Sequence, residues 1–350
     1  MNPKVRETEA AQVGPQSSAF AEVVEEHARA WVDRQLIEEP TADERALLEA
    51  ALLTPLRAFL ARPGKLFRAR MVETAFEAGG GDPACMPKAL PVVVEAIHAG
   101  SLIVDDIQDD SLERRGLPCL HRSIGVPLAI NTGNLLYCFA LDLIGELALD
   151  ERAQLALHRE TTRALLRGHQ GQGLDLTARA WEMERSSLRR LVACSTRLKA
   201  GSLLELAAHL GAIASDATEP VRLGLGDFGR ELGVGLQMLD DVSGLFRLER
   251  RIKAREDLTM GRPTWAWAML AESLGPEAFQ RIQLEAGHVS AGADPEICLG
   301  LMAQALTPLA QARIHKHLRA ALAGLRGLIG TPPAYLAIEA EVDRLESSFL

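Results

Sequence analysis

The feature that most constrains this chain is the spacing of its apolar residues. From Ala19 onward they recur at helical intervals almost everywhere, and the alternation of a half-buried strand is nearly absent. Short breakers punctuate the pattern: Arg62-Pro63-Gly64, Gly79-Gly80-Gly81-Asp82-Pro83, Gly116-Leu117-Pro118, Ser215-Asp216-Ala217 and Gly261-Arg262-Pro263. No low-complexity linker interrupts the segments between them. The expectation is an all-α chain, one large helical bundle over residues 19–350 with several central helices. Residues 1–18 are polar and read as a flexible tail.

Composition narrows the functional classes. The 350 residues carry a formal net charge of -9, which argues against a nucleic-acid partner held by bulk charge. Five cysteines (Cys85, Cys119, Cys138, Cys194, Cys298) are scattered and odd in number, which fits buried thiols in a reducing cytoplasm. The first residues have no apolar core of a signal peptide, and no stretch reads as the roughly 18 uncharged apolar residues of a membrane span.

The chemistry concentrates in Val104-Asp105-Asp106-Ile107-Gln108-Asp109-Asp110-Ser111-Leu112-Glu113-Arg114-Arg115-Gly116, which follows an apolar helical run. On a helix, Asp105 and Asp109 stand one turn apart on the same face, where like charges repel. A divalent cation reverses the sign of that energy, and magnesium takes one or two carboxylates while leaving positions for substrate phosphates. Arg114 and Arg115 follow, suited to the same phosphates. A solvated acidic helix end is the alternative. A second acidic pair, Asp240-Asp241, lies in the apolar run Gly233–Gly244 and needs a cation, a donor or a water-filled cavity if buried. A helix cap or a solvent-facing pair would account for it as well. Lys65 and Arg68 open a helix after a breaker, a suitable place for an anion or a solvated basic face. His98 lies two turns before Asp105, as an extra donor or a structural residue. Lys199 and Arg251-Ile252-Lys253-Ala254-Arg255 complete the basic inventory.

The order D-D-x-x-D, R-R-G, an upstream G-K-x-x-R, His98 and a late Q-x-x-D-D resembles the trans-isoprenyl diphosphate synthases, from about Gly64 to Thr264. Gln172-Gly173-Leu174-Asp175-Leu176 and Lys199 match shorter signatures of that family. The resemblance implies a helical bundle of the isoprenoid synthase type, usually a homodimer, with two aspartate-rich helices facing a central cavity. It implies a magnesium-dependent condensation of isopentenyl diphosphate with an allylic diphosphate, with three ions per site. Asp105, Asp109 and Asp240 would hold the metal, with Asp106 and Asp110 in support. Arg114, Lys199 and Lys253 or a neighbour would contact the allylic diphosphate, Gln237 and Arg262 would also bind substrate, and Lys65, Arg68, His98 and Arg115 would form the isopentenyl diphosphate pocket. Product length in the family depends on the residues before the first aspartate. Ala99, Gly100 and Ser101 are small, which implies geranylgeranyl diphosphate or longer; a floor near Tyr137 or Phe139 would change this.

The departures cluster late in the chain. Gly244 stands where the second motif normally has a third aspartate, Ile252 where a lysine is expected, and Ala200 where threonine usually follows Lys199. The family's G-K-x-T-x-P reads Gly261-Arg262-Pro263-Thr264-Trp265-Ala266, and Asn134 replaces an aspartate after Gly133. Two other readings therefore stand beside the synthase. One is a class I terpene cyclase, which needs no isopentenyl pocket; the other is a non-catalytic subunit that regulates a partner synthase.

Overall fold

A computed structural model describes residues 39–60, 62 and 66–349, together with residues 24, 26, 27, 29 and 30. The expected tail over residues 1–18 and Lys65 lie outside the described residues. The fold is all-α. Its helices are α1 (Ala42–Leu48), α2 (Thr54–Leu60), α3 (Phe67–Ala78), α4 (Leu90–Gln108), α5 (Leu120–Ile124), α6 (Val126–Glu146), α7 (Glu151–Thr177) and α8 (Arg185–Thr196). They continue with α9 (Ser202–Ala214), α10 (Glu219–Phe246), α11 (Arg251–Met260), α12 (Trp265–Ser273), α13 (Pro276–Ser290), α14 (Pro295–Leu306), α15 (Ala310–Ile329) and α16 (Pro333–Phe349). Two strands, β1 (Glu113–Arg114) and β2 (Leu117–Pro118), form a small antiparallel hairpin. The chain divides into two compact units: Met1–Arg70 with Pro87–Ala148, and Met71–Met86 with Leu149–Leu350.

The first unit is built on α4. Pro91 stands in its first turn, and nearly every residue from Leu90 to Gly100 is buried, as expected of a helix apolar all round. It packs against α6. The two helices meet closely at Gly100 and Gly133: a Cβ on Gly100 would lie 2.8 Å from the Gly133 carbonyl oxygen and 3.1 Å from Tyr137 Cε1. The smallness of Gly100 is therefore set by a helix crossing. Among the described residues α6 is long and apolar enough to cross a membrane by length and composition, a test that the core helix of a bundle also passes. Its apolar residues Leu136, Phe139, Ala140, Leu143 and Ile144 are buried, and its contact with α4 is that of a core helix.

The second unit is built on α10, which starts with Pro220 in its first turn and buries Leu225, Phe228, Leu232, Leu239 and Val242. It packs against α9 and α15, and near its C-terminal end against α11. Between α8 and α9 the chain widens into a single π-helical turn, Arg197–Gly201, which carries Lys199. Such turns are rare and concentrate at functional sites.

Candidate functional site

Helix α4 stops inside the aspartate run, and the stop assigns the four carboxylates different work. Gln108 is the last helical residue, Asp109 is the C-cap, and Asp110 takes φ +50°, the left-handed conformation that aspartate tolerates better than most residues. The Asp110 N–H donates to the Ile107 carbonyl at 3.3 Å and the Ser111 N–H to the Asp106 carbonyl at 2.9 Å, the bonds of a Schellman stop. Asp110 is exposed and pairs with Arg122. Asp106 is 1% exposed and accepts both Arg114 Nε (2.7 and 2.8 Å) and Arg114 Nη2 (2.6 Å). Asp105 and Asp109 are the half-exposed pair, and Arg114 Nη2 reaches Asp105 only at 4.0 Å.

The arginines lie on the hairpin. Arg115 and Gly116 are its two loop residues, with φ +56° and +76°. A two-residue loop with φ positive at both positions matches the right-handed twist of the strands. An arginine held there stores strain, which is common at ligand sites. Burial works to lower the Arg114 pKa, but the Asp106 hydrogen bonds and the Asp106 and Asp105 charges outweigh it and hold it high. Burial lowers the Arg115 pKa, and the Arg114 charge adds to this.

His98 faces the same cations. Burial, then the charges of Arg68, Arg115 and Arg114, hold its pKa well below 6.5, so the imidazole is neutral near pH 7. Arg68 has its own pKa lowered by burial, is drawn to Glu95 and is repelled by Arg115. The Glu95 carboxylate accepts the Ala69 N–H at 3.0 Å, and burial raises its pKa despite Arg68. Within the first unit, Arg68, Arg114 and Arg115 thus gather around a neutral His98, with Glu95, Asp106 and Asp105 as the nearby carboxylates. Three guanidinium groups and a neutral imidazole donor form an arrangement that can take a phosphate anion. Of the three positions expected to bear on chain length, Ala99 and Gly100 are buried, and Ser101 donates to the His98 carbonyl at 2.8 Å.

The second unit gathers a different set. Lys199 Nζ bonds Asp175 Oδ2 at 2.8 Å, and the buried Arg262 donates to the Asp175 carbonyl at 2.9 Å. Asp241 accepts the Trp265 N–H at 2.8 Å and Gln237 Nε2 at 2.7 Å, so it satisfies a free donor at the start of α12. Burial pushes its pKa up to about 7. Burial also raises the Asp257 pKa, against the Lys253 ammonium at 3.2 Å and with the charges of Asp240 and Asp175. Asp240 is paired with Arg250 Nη1 at 2.8 Å, and the same nitrogen reaches Ser243 Oγ at 3.3 Å. Gly244 has no room for a side chain: a Cβ there would lie 2.8 Å from Ala254 Cβ and 3.1 Å from the Arg250 carbonyl.

Two of these participants escaped the sequence reading. Arg250 lay one residue before the basic run, and Asp175 had no role attached. The matched signature pointed at Asp175, whereas no local signal marked Arg250. Among the described residues no three His, Cys, Asp or Glu side chains are grouped to hold a metal. Magnesium asks for less, since phosphate oxygens and waters complete its shell. Asp105 and Asp109 fit that demand. Asp240 fits it only when Arg250 gives way.

A family model described as polyprenyl synthetase matches residues 49–290. A short chain isoprenyl diphosphate synthase of Methanocaldococcus jannaschii is 30% identical over 173 residues, 49% of this chain and 51% of that protein. A geranylfarnesyl diphosphate synthase of Aeropyrum pernix is 30% identical over 176 residues, 49% of this chain and 54% of that protein. The chain spans about half the length of these curated relatives. A solved geranylgeranyl pyrophosphate synthetase of Pyrococcus horikoshii matches with TM-score 0.74 at 25% identity, over 96% of this chain and 97% of that one. One from Corynebacterium glutamicum, solved with isoprenyl diphosphate and magnesium, shares the fold at TM-score 0.73 and 22% identity, over 93% and 97%. The family match covers more than half of the chain and includes both acidic motifs with their basic partners, so this chain belongs to the polyprenyl synthetase family.

Proposed function

We propose that the chain is a trans-prenyltransferase that condenses isopentenyl diphosphate with an allylic diphosphate, giving geranylgeranyl diphosphate or a longer product. The observation that carries this reading is the convergence of Arg68, Arg114 and Arg115 on a neutral His98 beside the half-exposed Asp105. A cyclase acting on one allylic diphosphate has no need of that second anion site. Asp105, Asp109 and Asp240 would hold up to three magnesium ions, with Asp240 first released from Arg250. Bound magnesium supplies Lewis-acid stabilisation of the departing diphosphate.

The chain's own residues do the rest. Arg114, oriented by the buried Asp106, and Lys199, held by Asp175, would meet the charge that grows on the allylic diphosphate, with Gln237, Lys253 and Arg262 in support. The allylic C–O bond breaks and its electron pair leaves with the diphosphate. Lys65, Arg68, His98 and Arg115 would hold the isopentenyl diphosphate so that its double bond meets the cation before water does. A new C–C bond forms, and a proton passes to an oxygen of the released diphosphate. His98, neutral and crowded by arginines, serves as a hydrogen-bonding donor rather than as a base. Ser101 is the chain-length position left to act, because Gly100 is occupied by the α6 crossing. The exposed Val126, Leu128 and Ile130 of α6 support a homodimer, and the reading includes a cytoplasmic location.

Incubation with magnesium, labelled isopentenyl diphosphate and allylic starters of increasing length tests the proposal. Prenyl alcohols longer than the starter, released only by phosphatase, are the expected result. The pairing of Arg250 with Asp240 and the crowded Gly244 favour one other reading, a non-catalytic subunit. Binding of isopentenyl diphosphate without product from any starter would select it.

A further inference from the structure

Arg62, in the first unit, has no part in the reading above. Arg62 is 6% exposed, and its guanidinium lies over the Phe59 ring, 5.3 Å from the centroid. Its Nη2 donates to the Pro118 carbonyl of β2 at 2.8 Å, and its own carbonyl accepts Arg115 Nη1 at 3.3 Å. The residue thus grips the hairpin at two points, on the second strand and on the side chain of the strained loop. Its Nε and Nη1 are buried and have no hydrogen-bond partner. Unmet donors on a buried guanidinium are expensive and ask for an explanation. Asp106 attracts this charge and Arg114 repels it, so Arg62 belongs electrostatically to the same cluster. Asp106 is already committed to Arg114 through three short contacts, which leaves no free carboxylate there to complete Arg62. Two buried N–H donors of Arg62 are left for a group that is not one of the described side chains.

We propose that Arg62 is a positioning residue of the isopentenyl diphosphate site: it clamps the Arg114–Arg115 hairpin and keeps two donors in reserve for the diphosphate anion. The inference rests on the reading of Arg68, His98 and Arg115 as that site. A planar guanidinium suits the task, since one edge bonds Pro118 while other N–H groups remain available; an ammonium cannot divide its donors in that fixed geometry.

The test uses the full chain and calorimetric titration with isopentenyl diphosphate and, separately, inorganic diphosphate, in wild type, R62K and R62M. Steady-state kinetics with both substrates accompany it. R62M is expected to weaken both anions about tenfold or more, the range for a hydrogen bond to a charged group. KM for isopentenyl diphosphate should rise in step while KM for the allylic substrate stays within about threefold. R62K should fall between the two proteins. Wild-type affinity in R62M overturns the proposal, as does a loss of kcat and melting temperature with both KM values unchanged, which marks a purely structural residue. If R62M does not fold, R62K decides: affinity equal to wild type overturns the proposal. Failure of the wild-type protein to bind either anion would instead overturn the site itself, and the inference with it.

Discussion

The adjacent Asp105 and Asp106 make opposite predictions under the same substitution. Removing the Asp106 carboxylate deletes all three of its contacts to Arg114, whose side chain is only 25% exposed. Breaking a buried pair by removing one partner costs about 3–5 kcal/mol. Arg114 retains some access to water and has Asp105 at 4.0 Å as a fallback, so Asp106→Ala is expected to lose about 2–4 kcal/mol. Asp105 is 33% exposed, sits in the last turn of α4 where the helix dipole disfavours a negative charge, and neighbours Asp109. Asp105→Ala should change stability by less than about 1 kcal/mol. Both variants should lose turnover, one through a misplaced Arg114 and the other through a missing ligand, so activity does not separate them. Denaturant unfolding followed by circular dichroism, without added metal, does. Equal losses, or a neutral Asp106→Ala, would refute the division of labour drawn from burial. A second reading strengthens the test: magnesium with diphosphate should raise the melting temperature of wild type and not of Asp105→Ala.

Restoring the aspartate missing from the second motif should do harm. Gly244→Asp drives a side chain against Ala254 and the Arg250 carbonyl and is expected to cost about 1–3 kcal/mol with no gain in metal-dependent activity; a more active variant would refute the steric account. Because the folded His98 resists protonation, the unfolded chain binds more protons below pH 6.5, and stability falls as pH drops through that value. His98→Gln should flatten the profile by up to about 1.4 kcal/mol per pH unit between about pH 6.5 and 5.5, read from denaturant midpoints; parallel profiles would count against a depressed His98. Gly100→Ala should lower stability by about 1–3 kcal/mol through the α6 crossing, whereas Ser101→Phe should shorten the product. Chromatography of dephosphorylated products and a melting curve check the pair, and an unshortened product in Ser101→Phe would remove Ser101 from chain-length control.

Much of the site was legible because its geometry is local. The all-α character, the helix under Val92–Ile103 and the one-turn relation of Asp105 to Asp109 all follow from residue spacing. The hairpin did not follow. Arg115-Gly116 carries only half of the usual turn signal, and placing an arginine at positive φ takes the grip of Arg62 and of the paired strands. Asp110 read as a support for the metal ligands and is the residue that lets the helix stop. Gly100 read as an open cavity floor and serves a helix contact; Gly244 read as a lost ligand and proves to be a place with no room for one.

The sequence by itself determined which residues share a helix face and which charges lie one turn apart, since those relations depend on 1.5 Å of rise per residue and on nothing distant. Only the tertiary structure decided which of two neighbouring aspartates is buried, which arginine holds it, and that Asp240 meets Arg250. Burial and pairing depend on what other segments bring to the same volume. The energies that separate a ligand from a structural anion are set there, by desolvation and by the partner at hand.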